Sequence, residues 1–163
     1  MLAFFRASIS SWVRGQVAQS LTKLKSNRLH GLLLHRPDQL LESNGDELYR
    51  TLIELKESGL VEKIGISIYS PDQLNQLWHH FPCDIVQGPF NVLDRRIATS
   101  GWLDQLHKND CEFHARSIFL QGLLLMPSHT RPHWFQRWAQ VWQAWAQWLE
   151  HTGQTPIQAC LLH

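Results

Sequence analysis

The sequence predicts an α/β fold built from parallel strand–helix–strand units. Short apolar segments of strand length alternate along the chain with longer segments whose apolar residues recur every three or four positions. The connections between these segments are short, which favours parallel units joined by helices. With 163 residues, of which 44% are hydrophobic, the chain can bury one well-packed core. We therefore expect residues 1–163 to form a single domain.

The first predicted helix spans Trp12–Lys25 and follows a loop or strand remnant in residues 1–12. Its apolar face has four residues at helical spacing: Val13, Val17, Leu21 and Leu24. The first strand, Leu29–His35, contains three consecutive leucines, which suit a strand buried on both faces. Pro37 ends this strand because it lacks an N–H group and restricts the residue before it.

The second helix is predicted to begin at Ser43–Asp46, whose polar residues supply cap chemistry, and to reach Ser58. Gly59 is a natural stop at its C-terminal end. The second strand is Lys63–Ser67. The sequence Ser70–Gln73 then predicts a capping box with proline at the first position of the next helix.

The third strand is predicted at Asp84–Gln87 and is broken by Gly88–Pro89. A short helix near Gly101–Lys108 leads to the fourth strand, Glu112–Ser117. A long helix is predicted from Thr130 to about Glu150, and Thr155–Pro156 caps one more.

Residues 131–150 form a tryptophan-rich part of that long helix. Its tryptophans follow one another at steps of four, four, three and three: Trp134, Trp138, Trp142, Trp145 and Trp148. This spacing predicts one aromatic stripe, which we expect to pack against the body of the fold rather than to bind a ligand.

Composition excludes several classes of function. The formal net charge of +1 gives no field that would attract nucleic acid or a membrane, and we expect neither partner. No apolar run approaches membrane-spanning length. Cys83, Cys111 and Cys160 are odd in number and widely spaced, which is typical of free thiols in a reducing compartment. We therefore expect a cytoplasmic protein.

His35 lies where the first predicted strand ends. In α/β proteins the C-terminal ends of parallel strands carry the side chains that face substrate. By itself His35 is better explained as a histidine satisfied at a strand end, and only the neighbouring segments favour a functional role. No metal site is expected: His79 and His80 are adjacent and cannot share a helix face, and His30 and His35 point to opposite faces of a strand.

Four segments, taken in order, resemble the aldo-keto reductase family. They are Leu32–Asp38 (LLLHRPD), Gly59–Leu74 (GLVEKIGISIYSPDQL), Asp84–Arg95 (DIVQGPFNVLDR) and His114–Leu124 (HARSIFLQGLL). Thr155–Ala159 (TPIQA) also looks like the start of that family's penultimate helix. The resemblance covers roughly residues 13–163 and implies a partial (β/α) TIM-type barrel with about four parallel strands flanked by helices. These strands match the family's strands four to seven, and its other strands have no counterpart in the sequence.

The resemblance implies reduction of aldehydes and ketones by a nicotinamide cofactor, NADP or NAD. His35 matches the histidine that hydrogen-bonds the substrate carbonyl. The family's proton-donating tyrosine and the lysine and aspartate that tune it belong to the unmatched early strands. Neither Tyr49, Tyr69 nor Lys63 replaces them by its place in the sequence. Because general acid catalysis contributes roughly 10²–10⁴-fold, we expect the isolated chain to be inactive.

The resemblance also implies residues that bind the cofactor. Ser67 and Gln87 match residues that hydrogen-bond the nicotinamide carboxamide, although polar capping of a strand end is an alternative for both. Ile68 stands where the family usually has asparagine. Arg116 takes the place of a ring that stacks on nicotinamide, and a guanidinium plane can also stack. The pyrophosphate loop corresponds to residues 117–121, with three candidate binding residues: Ser117, Phe119 and Gln121.

Two functional hypotheses follow from different classes. The first is an oxidoreductase chain that binds a nicotinamide dinucleotide and, if active, a small carbonyl substrate. The second is a truncated, non-catalytic remnant, acting as a binding module or self-associating through its open sheet edges, if it acts at all. Titration with NADPH tests the first hypothesis. Light scattering tests the self-association in the second.

Overall fold

In the described part of the chain, four β-strands form one sheet whose spatial order follows the order along the chain, β1-β2-β3-β4. The computed structural model describes residues 8–162. The strands are β1 Leu29–Leu34, β2 Val61–Ser67, β3 Ile85–Pro89 and β4 Glu112–Arg116. β1 pairs in parallel with β2, and β2 pairs in parallel with β3. The predicted α/β fold with about four strands is confirmed.

Helices connect the strands, as parallel pairing requires. The helices are α1 Ile9–Leu24, α2 Gly45–Glu57, α3 Asp72–Leu77, α4 Arg96–Thr99, α5 Trp102–Lys108, α6 Ala139–Thr152 and α7 Pro156–Leu161. Of these, α2, α3, α4 and α5 lie between strands, α1 precedes β1, and α6 and α7 follow β4. Residues 8–162 also contain four 3-10 helices: Pro37–Leu41, Leu123–Leu125, Ser128–Thr130 and His133–Trp138. The sequence did not predict α4. Among the described residues, no helix has both the length and the apolar character needed to cross a bilayer.

The first helix starts earlier than predicted. Residues 9–12 are helical rather than a loop, because the Ser8 hydroxyl caps the helix by accepting a hydrogen bond from the Ser11 N–H at 3.2 Å. Residues 1–7, the rest of the predicted loop, lie outside the described residues. Val13 and Val17 are buried as expected, but Leu24 is 65% exposed. It occupies the last helical position, immediately before the left-handed residue that ends α1.

β1 is less buried than its three leucines predicted. Leu32, Leu33 and Leu34 are half-buried, whereas β2 is buried from Ile64 to Ser67. The cause is position: β1 lies at the edge of the sheet and pairs only with β2 among the described strands. An apolar run therefore predicted the strand correctly but not its place in the sheet.

The predicted N-terminal caps of α3 and α7 have different outcomes. Pro71 occupies the N-cap of α3, so the expected capping box does not form there. Each of its two hydrogen bonds is instead displaced by one residue. The Ser70 hydroxyl accepts from the Asp72 N–H at 3.2 Å, and the Gln73 side-chain oxygen accepts from the Tyr69 N–H at 2.7 Å. By contrast, α7 has a full capping box between Thr155 and its Gln158 partner.

The third strand continues through Gly88 and Pro89 instead of breaking there. A Cβ at Gly88 would lie 3.1 Å from Ile68 and 3.2 Å from Phe113, so glycine lets both side chains pack against this strand. Pro89 is the last residue of β3, beyond the residues of this strand that pair with β2.

Residues 8–88 and 97–114 form one compact unit, which contains β1, β2, most of β3 and the start of β4. Its core is made of aliphatic side chains from α2, β2, α3 and β3 that are almost fully buried. They include Leu52, Leu55, Val61, Ile64, Leu74, Leu77, Ile85 and Val86. Burial of each of these side chains contributes about 1.5–3 kcal/mol to folding.

Residues 89–96 and 115–162 form a second compact unit. The predicted helix over residues 131–150 is shorter, because a 3-10 helix covers His133–Trp138 and α6 begins only at Ala139. The tryptophans consequently differ in burial: Trp145 is buried with Leu124 and Ala159, while Trp134 is 70% exposed. The predicted aromatic stripe packs only over its α6 part. That residues 1–163 form a single domain stays a prediction.

Candidate functional site

Three predicted site residues lie at the carboxyl ends of neighbouring strands in the first unit. Leu34 pairs with Ile66, so His35 and Ser67 each stand one residue beyond the same pair. Ser67 in turn pairs with Gln87 of β3. This end of a parallel sheet is where α/β proteins bind ligands, because the connecting loops there leave a crevice.

Ser67 and Gln87 make a direct side-chain contact. The Ser67 hydroxyl donates to the Gln87 side-chain oxygen over 3.2 Å. Ser67 is only 5% exposed and Gln87 is half-buried, so both polar groups are oriented by protein rather than by bulk water. Ile68, which follows Ser67, has its side chain buried at 1% exposure and presents no polar group.

His35 is exposed and lies beside Tyr69, with their ring centroids 6.3 Å apart and the rings tilted by 41°. Tyr69 is 55% exposed. The two rings belong to adjacent strand ends, and sequence reasoning did not pair them. Tyr49, the other tyrosine, lies away from this end: its hydroxyl donates to the Pro82 carbonyl at 2.6 Å and its ring packs edge-on against Phe81.

Lys63 lies toward the opposite end of β2, as the sequence predicted. Its ammonium group forms an ion pair with Glu112 at the start of β4. The hydrogen bond from Lys63, followed by that from His114, holds the pKa of Glu112 below its ordinary value of 4.5. Lys63 therefore serves a charge network at the amino ends of the strands rather than a tyrosine at their carboxyl ends.

The remaining predicted residues belong to the second unit. Arg116 ends β4, and its carbonyl accepts a hydrogen bond from the Phe90 N–H at 3.1 Å. Ser117 follows it, and its carbonyl accepts from the Asn91 side-chain amide at 3.1 Å. Asn91 is 4% exposed and its oxygen also accepts two backbone N–H groups, which fixes the loop after β3. Sequence reasoning missed Asn91, although its place after Gly88–Pro89 in a turn was a usable signal.

The segment after β4 has an unusual backbone. Ser117, Leu120 and Gln121 all have positive φ angles, of 59°, 48° and 51°, and Gly122 follows at 86°. Each non-glycine residue in this region costs on the order of 1 kcal/mol or more, so surrounding contacts must hold the loop. Phe119 is half-buried and packs against the core around Leu124, whereas Gln121 is exposed.

Within residues 8–162, no three histidine, cysteine, aspartate or glutamate side chains are grouped closely enough to hold a metal ion. Cys83, Cys111 and Cys160 are free thiols; the last two are buried and Cys83 is half-buried. The pKa of Cys160 is raised by its burial.

The sequence profile of the Aldo/keto reductase family matches residues 6–162. Oxidoreductase YdhF of Escherichia coli (strain K12) is 32% identical over 116 residues, which are 70% of this chain and 38% of that protein. The chain therefore spans about four-tenths of the length of this relative.

Solved structures share the fold. The holo form of aldo-keto reductase AKR11C1 from Bacillus halodurans superposes with a TM-score of 0.63 at 21% identity, covering 78% of this chain and 42% of that one. A point mutant of Gox0644 in complex with NADPH gives a TM-score of 0.60 at 20% identity, covering 91% of this chain and 48% of that one. The fold is thus a partial (β/α) barrel, and the chain belongs to the aldo/keto reductase family.

Proposed function

We propose that this chain binds a nicotinamide dinucleotide, NADP or NAD, at the carboxyl ends of its strands. The observation that carries the proposal is the Ser67–Gln87 hydrogen bond beside His35 at adjoining strand ends. A primary carboxamide presents one acceptor and two donors, and a hydroxyl with a side-chain amide offers the complementary groups. The NADPH complex of the related structure supports the same cofactor class.

When bound, the cofactor would supply hydride for reduction of a carbonyl. Ser67 and Gln87 would orient the carboxamide, and His35 would donate a hydrogen bond to the oxygen of an aldehyde or ketone. By the resemblance to the family, the other residues proposed to bind the cofactor are Arg116, Ser117, Phe119 and Gln121. The free thiols fit a reducing compartment such as the cytoplasm.

We further propose that the 163 residues are inactive by themselves. Reduction needs a proton donor. Lys63, the lysine considered for tuning the pKa of such a donor, forms an ion pair with Glu112 instead. Tyr69 stands beside His35, and its neighbours in the sequence are Ile68 and Ser70 rather than a lysine. Activity would then require residues beyond these 163 that supply the tyrosine, lysine and aspartate of the family.

NADPH titration of the purified chain tests binding, with tryptophan emission as the signal because the chain has 8 tryptophans. We expect saturation below about 1 mM, and a roughly 3- to 10-fold weaker affinity in Ser67→Ala, since one hydrogen bond to the carboxamide is lost. Ser20→Ala, in α1, is the matched control and should retain the full affinity. A linear, non-saturating response in the unmodified chain contradicts the proposal.

The same preparation is assayed for NADPH-dependent reduction of small aldehydes, where we expect no turnover. Reduction that disappears in His35→Ala would overturn the claim of inactivity and leave the proposal of cofactor binding intact. Chain that neither binds NADPH nor turns over aldehyde favours the second hypothesis, a non-catalytic module.

A further inference from the structure

Cys83 and Cys111 lie beside each other at the amino ends of two neighbouring strands. Cys83 comes shortly before Ile85, the first residue of β3, and Cys111 immediately precedes β4. The N–H of Glu112 donates to the carbonyl of Asp84 at 2.8 Å, so the segments that carry the two cysteines are joined across the sheet. Neighbouring strands lie about 4.8 Å apart. This spacing is within the roughly 4.4–6.8 Å between Cα atoms that a disulfide spans.

The two thiols interact directly. Cys83 makes a side-chain hydrogen bond with Cys111, and this bond, ahead of burial, raises the pKa of Cys83 above its ordinary value of 9.0. The Cys83 Sγ lies 3.5 Å from the Ile85 carbonyl oxygen, and the Cys111 Sγ lies 3.9 Å from the Glu112 carbonyl oxygen. Each sulfur therefore lies beside the first residue of its own strand, and the two strands are neighbours.

The backbone near both cysteines is held in place. The Cys111 N–H donates to the carbonyl of Leu106, in α5, at 3.0 Å. Next to Cys83, the Asp84 N–H donates to the Ile64 carbonyl at 2.9 Å, and the Asp84 carboxylate accepts from the Ile64 N–H at 2.9 Å. The two thiols are thus brought together by the fold itself rather than by mobile segments.

Solvent has a path to the pair. Cys111 is 6% exposed, but it lines a cavity of about 420 Å³. Asp104, His107 and Asp110 line the same cavity and are exposed, so the cavity opens to the surface. Cys83 is half-buried. The pair is therefore within reach of a molecule as small as hydrogen peroxide.

We propose that Cys83 and Cys111 form a reversible oxidation site, which hydroperoxides convert to an intrachain disulfide. Hydrogen peroxide transfers one oxygen atom to the first sulfur, which becomes a sulfenic acid, and one water is released. The second thiol then attacks that sulfur, the S–S bond forms, and the sulfenic oxygen leaves as a second water. The two sulfurs together lose two electrons, which the two peroxide oxygen atoms gain.

The contact between the thiols decides which product forms. Because thiolate is the reactive form, the raised pKa of Cys83 makes the first step slow at that residue. The second step is fast, because the capturing thiol is already in place. The disulfide would close a loop over residues 84–110, which contain α4 and α5. It would form at the opposite ends of the strands from Ser67 and Gln87, so the oxidation site is independent of cofactor binding.

Treatment of the native chain with hydrogen peroxide, followed by mass spectrometry, tests the proposal. We expect the wild type to lose about 2 Da, because two hydrogen atoms leave as the disulfide forms, and to recover its mass with dithiothreitol. One of its three cysteines should remain a thiol. A tryptic digest without reductant should contain residues 64–95 and 109–116 as one disulfide-linked species.

Cys111→Ala removes the capturing thiol. We expect the loss of mass to disappear and Cys83 to accumulate sulfenic acid, with roughly ten-fold more labelling by dimedone than in the wild type. Cys160→Ala is the matched control, since it removes a buried thiol of the second unit, and it should keep the crosslink.

Sulfinic or sulfonic acid at Cys83 of the wild type without the crosslink would overturn the proposal. A disulfide that joins two chains, or one that involves Cys160, would do the same. So would a wild-type chain that keeps all its thiols under conditions that oxidise Met126, which is 39% exposed and reports that peroxide has reacted. The crosslink is measured on the wild type itself, so the result stands even where a variant does not fold.

Discussion

Glu112 contacts basic side chains from several strands of the sheet. Lys63 forms its ion pair, and the His114 ring nitrogen lies 2.9 Å from its other oxygen. The His30 ring nitrogen lies 3.9 Å away on the same side. These residues come from β1, β2 and β4, so the network exists only when the strands are assembled.

The stability of the fold should depend on the ionisation of Glu112. The pKa of Glu112 is held below 4.5, first of all by the hydrogen bond from Lys63. The stability that ionised Glu112 gives the fold is therefore fully present above pH 4.5 and is lost as pH falls through the lower, folded pKa. We expect urea denaturation midpoints to fall between about pH 6 and about pH 3, and to fall less in Glu112→Gln. Glu57→Gln, at the exposed end of α2, is the matched control. Identical slopes in the wild type and Glu112→Gln would contradict this assignment.

At the scale of elements, two glycines differ in what surrounds them. In β2, a Cβ placed on Gly65 would lie 2.3 Å from the Ile85 carbonyl oxygen and 2.9 Å from its Cβ. In α1, a Cβ on Gly15 would meet nothing within 4 Å. Only the first glycine is required by packing, because β2 and β3 approach each other closely there.

Gly65→Ala and Gly15→Ala should therefore have opposite effects on the free energy of unfolding. We expect Gly65→Ala to lose about 1–3 kcal/mol or more through displacement of the β3 backbone. Gly15→Ala should gain up to about 1 kcal/mol, because alanine is the better helix former at an exposed helical site. Urea titrations followed by circular dichroism measure both. A stable Gly65→Ala protein would show that β3 can move away at little cost.

Tryptophan spacing shows the limit of an element-scale prediction. Five tryptophans at helical spacing predicted one helix from Thr130, but the helix begins at Ala139. The 3-10 helix His133–Trp138 interrupts it, and the Trp142 indole N–H donates to the Phe135 carbonyl at 3.1 Å. A side chain within α6 therefore binds backbone in the preceding segment, which periodicity alone does not reveal.

For the whole molecule, the edge strand β1 is the feature that bears on association. Its leucines are half-buried, and edge strands present unpaired backbone groups that pair with other chains. We expect Leu33→Lys to lower any self-association measured by light scattering, because a charged side chain at an edge opposes strand pairing. Leu24→Lys, at a 65% exposed position of α1, is the matched substitution and should change it less. A wild-type chain that stays monomeric across its concentration range would remove the self-association hypothesis.

The sequence by itself determined the order of the strands and of most helices, the family and the strand ends that carry His35, Ser67 and Gln87. These features depend on local periodicity, turn residues and short motifs, each of which involves residues close together in the sequence. Only the tertiary structure decided that β1 is half-exposed, that Lys63 binds Glu112 and that Asn91 holds the loop leading to Arg95. Each of these depends on which residues, distant in sequence, become neighbours when the sheet forms, and burial and charge pairing are properties of that assembly.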